Sequence, residues 1–453
     1  MGARPRAANW ALGLLALPFS VPTVSAALVG IQWLGGGGLL ARWGFPGLAP
    51  EGLGYGFAAV VTMHVLLNAP WIGFLVARAR ARVPERELEA ARLLGAGWGA
   101  RLRWVVLPRV LWPALAATVQ VFALCSMSFS LVLLLGGGPP VETLETAIYA
   151  RVRSSLLDVG GASAAAVWQL LLTAVPWAVV VALSLRFGRA GPPGSSGGGV
   201  ESAGAPRGLF WGGGAVFNAK SLAALACALP FLVLPLSASW ETLLRADVLW
   251  VLLPPLALSL RIAFEVAVLS LVLGAAAALT ASRDGKLASI LFALPSGISV
   301  LVLGLGFWLA YGAWVDPFEG SRLAMVTLQA ALFFPLVFRT LWPLTLDSRR
   351  AALEAALVLG ASPFRAWLAV EWPRWKPTVL GLAAVVAAGS LGEVAAVSLF
   401  YSESLVPLPL LAQRWAGQYR FEEARAVGAL LLALSATTVL LVRPHRESTS
   451  FEK

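Results

Sequence analysis

Groups that hold metals or form disulfides are scarce in this 453-residue chain, which has two cysteines and two histidines. Cys125 and Cys227 lie far apart, each in an apolar run, so no disulfide framework is expected. So few soft ligands cannot form a His/Cys metal cluster at ligand spacing. Charge is thin as well: 13% of residues are Asp, Glu, Lys or Arg, against 58% hydrophobic. No Gly-x4-Gly-Lys-Ser/Thr occurs. The glycines at 35–38 lack the lysine, and Gly285-Lys286 is followed by Leu287. The chain is therefore not expected to hydrolyse ATP itself, and no cofactor of its own is expected. Paired carboxylates and nucleophile–base sets at fixed spacing are also missing, which argues against a catalytic membrane enzyme.

What the chain has is apolar length. A mean hydropathy of +0.79 makes lipid the expected solvent. Ten windows are long enough to cross hydrocarbon as helices, at about 10–34, 56–77, 111–135, 162–185, 221–239, 256–281, 287–313, 323–344, 378–400 and 424–442. The first is too long for a signal peptide and reads as a span. A net charge of +11 suggests nucleic acid in a soluble protein, but here the basic residues cluster by topology. With a cytoplasmic N-terminus, 24 of the 34 Lys and Arg fall inside, 8 outside and 2 within spans. That bias is the positive-inside rule. It predicts a multi-pass membrane protein with both termini cytoplasmic, contacts to lipid and none to nucleic acid.

The chain is also written twice. Glu89-Ala90-Ala91, Gly95 and Pro108 recur as Glu354-Ala355-Ala356, Gly360 and Pro373, at a constant offset of 265. Pro70 and Pro335 share that offset, as do Asp158 and Glu423. Upstream, "VPTVSAALVG" and "LPSGISVLVLG" correspond with an offset of 273. Agreement without gaps over such a distance is internal duplication. Both copies of the loop face one side, so the repeats are parallel, about an axis along the membrane normal. The expected fold is all-α and integral to the membrane, with ten spans divided four plus six. The first repeat (1–187, loop 78–110) is read as lacking its opening pair. A Gly/Ser/Pro-rich cytoplasmic linker (188–217) tethers it to the second repeat (218–453, loop 345–377).

The repeated loop has a definite local design. Pro84 suits a first helical turn, and Glu85, Glu87 and Glu89 crowd the end where the helix dipole is positive. Leu88, Ala91 and Leu94 fall on one helical face, and Gly95, Gly97 and Gly99 break it. In the second copy Asp347 or Ser348 can cap, Leu353, Ala356 and Leu359 repeat the face, and Gly360 ends it. Ser362-Pro363 then restarts a helix. An amphipathic helix lying on a membrane explains one such loop. It does not explain two at identical spacing.

The spacing E-A-A-x3-G-x9-V-x-(L/W)-P resembles the EAA loop of bacterial ABC importer permeases, in which a short helix couples to an ATPase subunit. The resemblance runs from Leu15 onward. It implies that Glu89, Ala90, Ala91, Gly95 and Pro108, with Glu354, Ala355, Ala356, Gly360 and Pro373, form two ATPase-coupling sites. It further implies two copies of an ABC ATPase carrying ATP and Mg, and an extracytoplasmic solute-binding protein. A secondary carrier driven by an ion gradient, the rival class, has no use for two matched docking helices.

For the cargo, "SFSLVLLLGGGPPVETLETAIYARVR" (128–153) is similar to the thiamine permease family in its three glycines followed by Thr-Leu-Glu-x-Ala-Ile-Tyr. Ser390-Leu391-Gly392-Glu393 and Gly417-x-Tyr419-Arg420 resemble that family too, with Glu393 where it usually shows Asp. Ferric iron permeases share part of this pattern and are the alternative. Glu393, inside a predicted span, is the candidate translocation-path residue, because intramembrane carboxylates usually face a cavity or a partner. The alternative is structural, with Glu393 held by Arg339 or by polar backbone. Arg261 and Glu265 are expected to pair one turn apart. The loop acids Glu142, Glu145, Asp158, Glu422 and Glu423 are read as a landing surface for the binding protein.

Overall fold

The computed structural model describes residues 21–35, 38–44, 55–81, 83–136, 141–154, 157–187, 229–238, 240–281, 297–314, 319–346 and 350–441. The linker 188–217, residues 10–20, 221–228 and 287–296 of three expected spans, Cys227 and the candidate caps Asp347 and Ser348 lie outside them. Among the described residues the chain is helical, and extended pairing is limited to one bridge between Ser402 and Leu405.

The first repeat begins with α1 (Thr23–Leu34), α2 (Phe57–Ala81) and the short α3 (Glu85–Leu93). It continues through α4 (Leu107–Ser126), α5 (Ser130–Leu135), α6 (Leu144–Arg153) and α7 (Val159–Phe187). In the second repeat α8 (Ala246–Thr280) precedes α9 (Val300–Tyr311), α10 (Arg322–Leu346), α11 (Arg350–Val358) and α12 (Pro363–Val370). The chain then forms α13 (Trp372–Gly392), α14 (Ala395–Leu399), α15 (Leu408–Gly417) and α16 (Phe421–Leu441). Seven helical stretches among the described residues are long and apolar enough to cross a membrane.

Two expected spans need correction. The run 111–135 is not one helix: α4 stops at Ser126 and α5 starts at Ser130. The run 378–400 likewise breaks between α13 and α14, at Glu393-Val394. Ser128 and Glu393 are related by the 265-residue offset, so the two repeats break at the same place. Such breaks survive in a bilayer only where protein covers the freed backbone. Here α5 packs against α1 and α14 against α9, which supplies that cover. Other boundaries move by a few residues in either direction, most of all in α8, which starts ten residues before the expected 256 and exceeds the ~30 Å hydrocarbon thickness.

The halves are joined by exchange. Helix α1 of the first repeat packs on α16 and α15 of the second, while α9 of the second packs on α7 and α6 of the first. Each exchange carries a side-chain-to-backbone hydrogen bond. Ser25 Oγ donates to the Gly428 carbonyl at 2.8 Å, and Thr173 Oγ1 donates to the Gly297 carbonyl at 2.8 Å. One apolar cluster, including Leu28, Ile148, Leu301 and Phe400, runs through both repeats.

Helix α8 breaks the symmetry. It lies along α10 and α13, and Arg261 Nε donates to Glu265 at 3.0 Å while Arg322 adds a second cation to the same carboxylate. Among the described residues the first repeat has no counterpart of α8. There Phe57, Val61 and Val65 of α2 and Leu111, Trp112 and Leu115 of α4 stand exposed, as suits side chains solvated by hydrocarbon.

At Gly274 α8 comes so near α10 that a Cβ would lie 2.5 Å from Val337 Cγ1 and 3.1 Å from the Phe338 nitrogen. Small residues at such crossings let helix backbones meet. Gly274→Ala is therefore expected to cost about 1–3 kcal/mol through overpacking. Gly73→Ala, with nothing within 4 Å, is expected to be neutral or slightly stabilising. Thermal unfolding of the two variants in one detergent checks the contrast.

Candidate functional site

The repeated loops fold alike down to their hydrogen bonds. Helix α3 follows Pro84, an extended N-cap, and carries Glu85 and Glu87 in its first turn. It ends when Gly95 takes φ +78°, and α11 ends when Gly360 takes φ +86°. Ala96 N donates to the Ala91 carbonyl and Gly95 N to that of Arg92, both at 2.9 Å. Ala361 N reaches Ala356 at 3.0 Å and Gly360 N reaches Leu357 at 2.9 Å. Both ends are thus Schellman motifs, which require a left-handed residue and so favour glycine. In the second copy Ser362 Oγ then caps α12, accepting from Arg365 N at 3.4 Å. In the first copy a π-helical turn, Leu102–Val106, leads into α4.

Equivalent residues have equivalent exposure. Glu89 and Glu354, Ala90 and Ala355, Gly95 and Gly360, and Pro108 and Pro373 are all exposed, while Ala91 and Ala356 are half-buried. Before the bend, Leu93 and Leu94 are 89% and 88% exposed, and their counterparts Val358 and Leu359 are 87% and 86% exposed. With Trp98 and Trp104 in the first loop and Phe364 in the second, they give each loop an exposed apolar surface beside its glutamate. Pro108 and Pro373 stand in the first turns of α4 and α13, where a missing N–H costs nothing. The anchoring ion pairs differ. Arg109 Nη2 donates to Glu87 at 2.8 Å across the bend, whereas its counterpart Arg374 pairs with Glu371 at 3.3 Å.

Helices α4 and α13 each run about 30 Å from a loop to a break. At the second break Glu393 Oε1 accepts from Ala395 N at 2.8 Å and from Ala396 N at 3.4 Å, tying down the start of α14. Of the alternatives for Glu393, polar backbone is what its carboxylate meets. Near the first break Gln169 Nε2 donates to the Ser126 carbonyl at 2.9 Å.

Glu145 departs from expectation. It is fully buried, which removes it from any landing surface. Helix α6 is fixed by a capping box between Thr143 and Thr146. Glu145 then shares its inward face with Ile148 and Val152. That i, i+3, i+7 pattern was the overlooked signal in the sequence. Neither carboxylate oxygen has a hydrogen-bond partner of good geometry. The polar groups facing it are the Ser299 hydroxyl, the Gln169 amide and the Glu393 carboxylate. Beyond this seam, Arg153 of the first repeat and Arg414 of the second lie over the ring of Tyr401, at 4.1 and 4.6 Å.

An all-α membrane protein with exchanged halves and paired exposed loops has the form of a transport subunit. Residues 1–188 match the family described as the binding-protein-dependent transport system inner membrane component. The chain is 32% identical to the thiamine transport system permease protein of Brucella abortus, over 95% of this chain and 79% of that one. With the Haemophilus influenzae protein of the same name it shares 26%, covering 98% and 83%. With a probable sulfate transport system permease protein of Nephroselmis olivacea it shares 33%, over 33% of this chain and 56% of the other. No solved structure matches. The chain belongs to the family of inner-membrane permeases of binding-protein-dependent ABC importers. It is a multi-pass, non-catalytic transport subunit that works with an ATPase and a solute-binding protein.

Burial, then Ser299 and Gln169 in opposition and Glu393 in support, leaves the Glu145 carboxyl pushed up to about 8 from 4.5. An acid raised on folding contributes stability in full below its unfolded value and loses it as pH rises through the folded one. The thermal stability of the purified protein is expected to fall between about pH 4.5 and 8, by up to ~1.4 kcal/mol per unit, and to level above that. Glu145→Gln is expected to flatten the profile and to be the more stable protein at pH 8.

Proposed function

We propose that the chain is the fused permease of a thiamine importer, moving thiamine or its phosphates from an extracytoplasmic binding protein to the cytoplasm. It has two permease repeats, 1–187 and 218–453, joined by the linker 188–217, with both termini cytoplasmic and lipid around the bundle. Two ABC ATPase subunits, carrying ATP and Mg, each grip one loop. The carrying observation is the matched pair of loops, alike in hydrogen bonding and exposure. The relatives named for thiamine transport support the cargo.

In this reading Glu89 and Glu354 each offer a charged contact to an ATPase cleft. Ala90, Ala91, Ala355 and Ala356 allow close approach. Gly95 and Gly360 set the bend, and Pro108 and Pro373 start the helices that carry movement inward. ATP binds the closed ATPase dimer best, and that difference biases the permease between access states. Because α4 and α13 run from loops to breaks, displacement of a loop moves the seam between the repeats.

Uptake of radiolabelled thiamine, in cells lacking their own uptake and expressing the permease with its ATPase and binding protein, tests the reading. Wild type should accumulate thiamine in an ATP-dependent manner; accumulation that follows only the proton gradient would remove the importer reading. Glu89→Arg with Glu354→Arg should leave membrane abundance unchanged. Each lost contact should weaken ATPase copurification by roughly 10- to 100-fold, the equivalent of about 1.5–3 kcal/mol. Undiminished copurification would dismiss the coupling assignment.

A further inference from the structure

Glu145 has no part in the coupling loops, and the fold does not need its charge. Thr143 and Thr146 cap its helix, while Ile148 and Val152 do the packing. The carboxylate is nevertheless fully buried, with both oxygens lacking hydrogen bonds of good geometry. A desolvated acid is costly unless a partner offsets the loss of water. The charged group facing it is another acid, Glu393, contributed by the opposite repeat. Two carboxylates across one seam repel each other, and a cation between them relieves both.

The surroundings fit such a guest. Ser299 caps α9 by accepting from Leu301 N at 3.1 Å, and its hydroxyl proton remains to be shared. Gln169 has one N–H on the Ser126 carbonyl at 2.9 Å and presents neutral amide surface to Glu145. Glu393 is fixed by two backbone amides, so one of its oxygens is already oriented. The acids belong to different repeats, and the two breaks beside them end the helices that come from the coupling loops. Movement of the loops therefore alters the space between the acids.

We propose that Glu145 and Glu393 together form the point at which an organic cation is held between the repeats during transport. The proposal rests on the import reading above and assigns a residue pair to the cargo. It also explains why an ionisable acid sits where an amide would be less costly: a buried titratable group kept against stability is characteristic of a functional position.

The test uses the assembled complex of permease, ATPase and binding protein in proteoliposomes. Glu145→Gln is expected to lower thiamine uptake at least tenfold, with ATPase assembly intact and thermal stability unchanged or raised. Glu145→Asp, which keeps the charge, is expected to retain more uptake than Gln. Uptake by Glu145→Gln within twofold of wild type overturns the proposal. So does a joint fall of uptake and thermal stability, which marks a structural role. A second measurement separates this pair from the identity of the cargo. Tetraethylammonium or thiamine added at pH 8 should raise the unfolding temperature of the wild-type complex but not of Glu145→Gln. If thiamine is not taken up while tetraethylammonium still stabilises through Glu145, the thiamine reading fails and the cation site stands. Stabilisation by neither cation, or equally in both proteins, removes the site.

Discussion

Apolar surface does not pull helices together inside a bilayer, because the lipid is as apolar as the side chains. What joins the repeats is close packing with a few polar contacts, arranged as an exchange. Ser25 on α1 reaches the backbone of α16, and Thr173 on α7 reaches the backbone just before α9. Each repeat thus has a helix embedded in its neighbour. Everything else depends on this interlock: it buries the helix breaks, sets Glu145 opposite Glu393 and keeps the two loops in a matched relation.

The interlock is symmetric, but what surrounds it is not. The long α8 covers α10 and α13 in the second repeat, and its Glu265 gathers Arg261 and Arg322. On α2, Val61 and Val65 stay exposed where their counterparts Val326 and Ala330 on α10 are buried. The entries to the two driving helices also differ. Arg109 ties α4 back across the bend to Glu87, while Arg374 stays with Glu371 beside it, and only the first entry carries a π turn.

Single helices connect the loops to the seam. The Schellman ends hold the short helices at a fixed angle, the proline turns start α4 and α13, and about 30 Å further on those helices stop at the breaks. The acids placed there work against stability, a common property of positions kept for function.

The sequence by itself determined the class. Hydropathy required a membrane fold, the 265-residue offset pointed to duplication, and the Glu-Ala-Ala-x3-Gly spacing located both short helices and the glycines that end them, because these follow from composition and local backbone preference. Arg261 and Glu265 were legible for the same reason, lying one turn apart on one helix. The breaks at Ser128 and Glu393 were not legible, since an apolar run looks the same whether or not it is interrupted. Glu145 was misread as a loop acid, though its spacing with Ile148 and Val152 pointed inward. Only tertiary structure could decide that α6 turns that face onto α9 and α14 of the other repeat, and bring two acids 248 positions apart in the sequence to one seam. Local preference acts over a few residues, whereas burial and facing charge are set by which helices the exchange brings together.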